Sequence, residues 1–171
     1  MKIKDDKGNF ENLVGDDTLW NEIVHSNDRN AVLMSGAAFD IKLERILSKK
    51  LLEGKNSQKL ISGTIGRFAS RIDLCFALGL ISNEEKSDLH IFKEIRNAFA
   101  HNLFGCNLSN PDVQVELHKL ILPKKAGVVP AVSGDRVFFN VAVLTMDTQL
   151  AQRLEQTKRV AHPVKIYING K

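Results

Sequence analysis

Arg96 and His101, in the run Arg96-Asn97-Ala98-Phe99-Ala100-His101, are the residues of this chain whose types point to a shared chemistry. A guanidinium stays charged and can stabilise phosphate charge, while an imidazole moves protons near neutral pH. Cleavage of RNA without a metal needs both. Five residues turn an ideal helix through roughly 500°, so the two side chains point about 140° apart and do not share a face. One helix therefore cannot focus both on one phosphate. Two copies packed about a two-fold axis can, each offering Arg and His into a shared cleft, and the chemistry predicts a homodimer. A purely structural reading stands beside it: His101 favours the dipole at a helix end, and Arg96 is a surface cation paired with Glu94 or a neighbouring helix.

The elements that must position these residues follow from hydrophobic spacing. Between Asn27 and Leu52, Val32, Phe39, Leu43, Ile46, Leu47 and Leu51 recur at helical intervals, with Asn27 or Asp28 as cap and Gly54 as stop. Lys55–Lys59 is polar and reads as a loop. Leu60–Leu80 carries Ile61, Ile65, Phe68, Ile72, Cys75 and Phe76 on one broad face, which predicts a second long helix ending near Gly79. Ser82 and Glu85 then stand three apart, the spacing of a reciprocal capping box. Leu89, Phe92, Ile95 and Phe99 form the inward stripe of the next helix, which runs to Phe99 or His101. The short connection makes it the antiparallel partner of the helix before it.

Beyond His101, Gly105 to Pro111 is loop, Asp112–Ile121 a short helix, and Pro123–Gly134 irregular. Arg136–Thr157 predicts a helix capped by Asp135, and Val164–Ile168 alternates like a strand. The organisation is one domain over 1–171: a helical core at about 17–121, a connector at about 122–134, and a C-terminal helix and tail at 135–171.

Of the 171 residues, 43% are hydrophobic and 26% charged, values that exclude a disordered chain. No apolar run approaches the ~18 residues of a spanning helix, and Met1–Lys7 lacks a signal peptide's apolar stretch, so a cytoplasmic protein without membrane contact is expected. The net charge of +4 permits RNA contact without the basic stripe of a dedicated DNA binder, and specific DNA binding is not supported. Cys75 and Cys106 read as reduced thiols. The five histidines, at 25, 90, 101, 118 and 162, show no metal-ligand spacing, so neither a metal nor another cofactor is expected. Trp20 reads as a packing anchor for an N-terminal helix, and Gly63 and Gly66 as a helix start or a close-packing device.

The stretch Arg71-Ile72-Asp73-Leu74-Cys75-Phe76-Ala77-Leu78-Gly79-Leu80-Ile81-Ser82, followed by Asp88-Leu89 and Ile95-Arg96-Asn97-Ala98-Phe99-Ala100-His101-Asn102, resembles the mannitol operon repressor family. Asp28-Arg29-Asn30-Ala31 and Phe39-Asp40-Ile41-Lys42-Leu43-Glu44 resemble that family's first long helix. The resemblance covers about residues 27–103. It implies an all-α helical bundle with a long antiparallel hairpin, HEPN-like, followed by an irregular C-terminal region. In the wider HEPN group an Arg-x4–6-His signature marks metal-independent ribonucleases, and Arg96, Asn97 and His101 match it. The resemblance would make His101 the general acid/base, Arg96 the stabiliser of the phosphorane and Asn97 a positioning group. Beside the resemblance, Arg67 and Arg71 are candidate binding residues that with Asp73 could join the cleft around Arg96, although a structural ion pair is the commoner fate of such residues.

Two functions follow as expectations. One is a mannitol-repressor-like transcriptional regulator, a helical homodimer acting through protein partners or weak nucleic-acid contacts. The other is a metal-independent endoribonuclease of toxin or defence type. A dimerisation module is a third possibility for the same scaffold.

Overall fold

The structure, a computed structural model, describes residues 17–102 and 105–162, and among these it is helical without strands. The helices are α1 (Asp17–His25), α2 (Asp28–Lys50), α3 (Lys55–Lys59), α4 (Phe68–Ala77), α5 (Asn83–His101), α6 (Pro111–Leu117), α7 (Leu122–Lys125), α8 (Pro130–Ser133) and α9 (Asp135–Gln156). An all-α bundle, with α4 and α5 as its antiparallel hairpin, is what the periodicity predicts. The strand-like Val164–Ile168 lies outside the described residues.

The central helix is α2. Its buried positions, among them Val32, Phe39, Lys42, Leu43 and Ile46, face several directions because α4, α5 and α9 all pack on it. Phe39 of α2 meets Phe92 of α5 edge-on at 4.9 Å between ring centres, and Phe92 meets Phe139 of α9 at 5.9 Å. Edge-to-face pairing places the positive rim of one ring on the negative face of the next, which ties the three longest helices together. The buried apolar cluster is continuous from Ile23 in α1 to Leu150 in α9, with Trp20 packed on it as the anchor of α1.

Helix ends follow local chemistry. The Asn27 side chain accepts the Asn30 N–H at 2.9 Å and caps α2. Asp28, the other cap candidate, instead accepts from Leu108 N–H at 2.9 Å and from the Arg136 guanidinium at 2.7 Å. The same guanidinium donates to the carbonyls of Ile23, Val24 and Ser26, which close the end of α1. Ser82 and Glu85 form the expected capping box, and the Glu85 carboxylate, 1% exposed, also takes Arg153 of α9 at 3.0 Å. At the end of α4, Gly79 (φ 67) lets its own N–H reach Phe76 O and the Leu80 N–H reach Cys75 O, a left-handed turn that a Cβ would hinder.

Three expectations need correction. Leu60–Leu80 is not one helix. Lys55–Lys59, read as loop, is helical, Leu60–Thr64 is a π turn, and the chain breaks at Gly66 before α4 starts at Phe68. A Cβ on Gly66 would stand 2.6 Å from Ser62 O and 3.1 Å from Gly63 O, so the residue permits a chain reversal too tight for any side chain. Asp135 does not cap α9. Gly134 holds the cap position without a side-chain bond, and the Asp135 carboxylate accepts from Ser109, Gln114 and His118. Burial raises the carboxyl pKa, but those three bonds outweigh it and hold the group below its ordinary value. The connector is also more ordered than expected, with α7 and α8 as single turns. Asp88 of α5, 1% exposed, anchors it by accepting the Ile121 and Leu122 N–H groups, each at 2.8 Å. Burial nevertheless pushes the Asp88 carboxyl above its ordinary value.

Candidate functional site at the end of the helical hairpin

The last two turns of α5 carry Arg96, Asn97 and His101, and the packing of α5 on α2 sets how they point. Ile95 and Phe99 are buried against the core and fix the helix about its axis. Asn97 and His101, about 40° apart around that axis, are both exposed. Arg96 points elsewhere, half-buried over α2. A Cβ built on Gly36 of α2 would lie 2.8 Å from Arg96 Cδ, so the arginine stem crosses α2 at that glycine. Within one chain, then, Asn97 and His101 share a face and Arg96 diverges from them, as the helical angle requires.

Arg29, in the first turn of α2, holds this helix end. Its guanidinium donates to the carbonyls of Phe99 and Asn102, two of the acceptors that a helix terminus leaves unbonded. A cation there also complements the dipole. Nothing local in the sequence marks this role, since Phe99 lies 70 residues away from Arg29.

The electrostatics separate the cations into two groups. Arg71 is buried, with Asp40 and Glu44 of α2 each at 2.7 Å, so it serves as a tie between α4 and α2. Asp73 does not join Arg96; it faces His90 at 3.1 Å and Lys86 at 3.9 Å across the hairpin. Glu94, expected opposite Arg96, is bonded to Lys93 at 2.7 Å and to the Asn97 side chain. Lys93 above all, with Asn97 assisting, holds that carboxyl below its ordinary value. Arg29, Arg136, Arg153 and Arg159 are likewise bonded. Arg67, exposed at the start of α4, and Arg96 make no side-chain hydrogen bond or ion pair among the described residues, and neither does His101. Two of the four arginine and histidine residues selected from the sequence as binding or catalytic are therefore cations free to meet an anion.

Among the described residues no group of three or more His, Cys, Asp or Glu side chains is placed to hold a metal ion. Cys75 and Cys106 are free thiols, and burial pushes Cys75 up to about 12 and raises Cys106 as well. At pH 8 about one Cys75 in ten thousand is thiolate. Iodoacetamide at that pH should leave Cys75 unmodified for hours in the native protein and label it within minutes in denaturant, which mass spectrometry of the alkylated peptides checks. Rapid native labelling would mean that α4 opens readily.

Comparison with protein-family models, with curated proteins and with solved structures returns no match for this chain.

Proposed function

We propose that the chain is a regulatory protein similar in kind to the mannitol operon repressors, a helical homodimer that works through a protein partner or weak RNA contacts and not through turnover. The observation that carries this reading is the contrast among its arginines. Those that stabilise the fold are bonded to carboxylates and carbonyls, whereas Arg67 and Arg96 have no such partner among the described residues. An unbonded guanidinium beside a helix end suits a phosphate contact. The divergence of Arg96 from His101 favours contact over catalysis in a single chain.

A second reading, metal-independent RNA cleavage, is favoured by the exposure of Asn97 and His101 on one face of the same helix end. It requires a two-fold partner to bring Arg96 of one copy toward His101 of the other.

One experiment separates the two. Purified wild type, Arg96→Ala and His101→Ala, matched for fold and for mass by sedimentation, are incubated with labelled single-stranded RNAs in EDTA. The regulatory reading expects intact RNA in every case, with binding weakened about tenfold in Arg96→Ala, the loss of one charge-assisted contact. Products with 2′,3′-cyclic phosphate ends, reduced at least about a hundredfold in both variants, would establish the ribonuclease instead. A monomer at micromolar concentration would remove the dimer from either account.

A further inference from the structure

Gly36 sits inside a 23-residue helix, buried, where glycine is a poor choice because it surrenders the most chain entropy on folding. No left-handed backbone excuses it, since its φ is not among the positive values. The three atoms nearest a Cβ at this position all belong to Arg96: Cδ at 2.8 Å, Cγ at 3.4 Å and Nε at 3.6 Å. The glycine is thus explained by one neighbour, and that neighbour is an arginine without a polar partner among the described residues.

One turn further along α2, on the same face, stands Asp40. A carboxylate so placed is the natural trap for a guanidinium lying on this helix, but Asp40 is held by Arg71 at 2.7 Å. Arg71 is 7% exposed and takes Glu44 as well. The acids one and two turns along that face are therefore already neutralised from α4, and Arg96 makes no side-chain hydrogen bond or ion pair among the described residues.

We infer that Gly36 is a positioning residue: its missing Cβ forms a notch in α2 that lays the Arg96 stem flat and presents the guanidinium to a phosphate group of RNA. This inference rests on the reading of Arg96 as a phosphate contact. A methyl group at residue 36 would meet a flexible stem rather than backbone, so the arginine must lift away while the fold has no need to yield. Function and stability then move in opposite directions, which a purely structural glycine would not produce.

The test uses Gly36→Ala, Arg96→Ala and the double variant, all in the full chain. Three quantities are measured: thermal midpoint, the arginine Nε–Hε spectrum by NMR, and the Kd for a fluorescent single-stranded RNA. For Gly36→Ala the midpoint is expected unchanged or raised, the Nε–Hε signal that Arg96→Ala deletes is expected to move, and the Kd to rise about tenfold, near that of Arg96→Ala. An unmoved signal overturns the inference, as does wild-type RNA affinity in Gly36→Ala when Arg96→Ala has lost it. If Arg96→Ala itself binds RNA like the wild type, the functional reading falls, while a moved signal still supports the notch. Should Gly36→Ala fail to fold, a double variant that folds would assign the clash to Arg96, and a double variant that also fails would overturn it.

Discussion

Asp147→Ala should lower the unfolding free energy by about 3–5 kcal/mol, the range seen when one partner of a buried ion pair is removed. Lys42 is 1% exposed at the centre of α2, and the Asp147 carboxylate of α9 receives its ammonium. With the carboxylate gone, the ammonium retains among the described residues only the backbone carbonyl at 147, 3.4 Å away. The uncompensated charge then draws water into the packing between α2 and α9. The opposite substitution should differ sharply. Lys42→Met removes the buried charge itself and leaves an aspartate that is 29% exposed and can be solvated, so it is expected to cost under about 1.5 kcal/mol. Urea unfolding of both variants checks the asymmetry, and equal losses would show that the pair is not the source of the stability.

Arg136→Met should cost about 3 kcal/mol and detach α1, because one guanidinium satisfies Asp28 and the carbonyls of Ile23, Val24 and Ser26 together. Methionine retains the apolar stem of the arginine, so the loss reports on the head group. The only tryptophan, Trp20, lies on α1 and packs on the core, which supplies a local reporter. Its emission should shift to the red, and be quenched more readily by iodide, under conditions where far-ultraviolet circular dichroism keeps nearly all the helix signal. An unshifted spectrum would mean that α1 is held by its apolar face alone.

Much of the fold is legible from neighbours in sequence. The stripe Leu89, Phe92, Ile95 and Phe99 and the Ser82–Glu85 box are short-range signals, and both appear where the spacing puts them. Gly66 was harder to read. Although it reads as a helix start or a close-packing device, it lies inside an apolar pattern that predicts one helix, and only the carbonyls of Ser62 and Gly63 at 2.6 and 3.1 Å reveal a break. Asp135 misled for a related reason: it has the composition of a cap, but Ser109, Gln114 and His118 compete for its carboxylate from other segments.

The site is legible in composition more than in geometry. The angle between Arg96 and His101 follows from helix periodicity alone, and their opposed directions agree with it. What lies beneath Arg96 does not follow, since Gly36 belongs to another helix. Arg71 and Arg67 look alike in the sequence, yet Asp40 and Glu44 secure the first, and the second is exposed without a partner among the described residues. Arg29 bonds only backbone carbonyls at the far end of α5, a contact with no side-chain signature at either position.

The pairing of Lys42 with Asp147, 105 residues apart, also bears on how the molecule is made. On the ribosome α2 is synthesised early, and α4 and α5 can pack on it as soon as they emerge. The side of α2 that carries Lys42 stays bare until α9, the last helix described, has left the exit tunnel. Lys49 repeats the dependence in the last turn of α2, where its ammonium donates to the carbonyls of Leu154 at 2.7 Å and Glu155 at 3.2 Å. Nascent chains that stop short of α9 should therefore hold the hairpin without closing the bundle, and a lysine on that waiting face keeps it from being a sticky apolar surface while translation finishes.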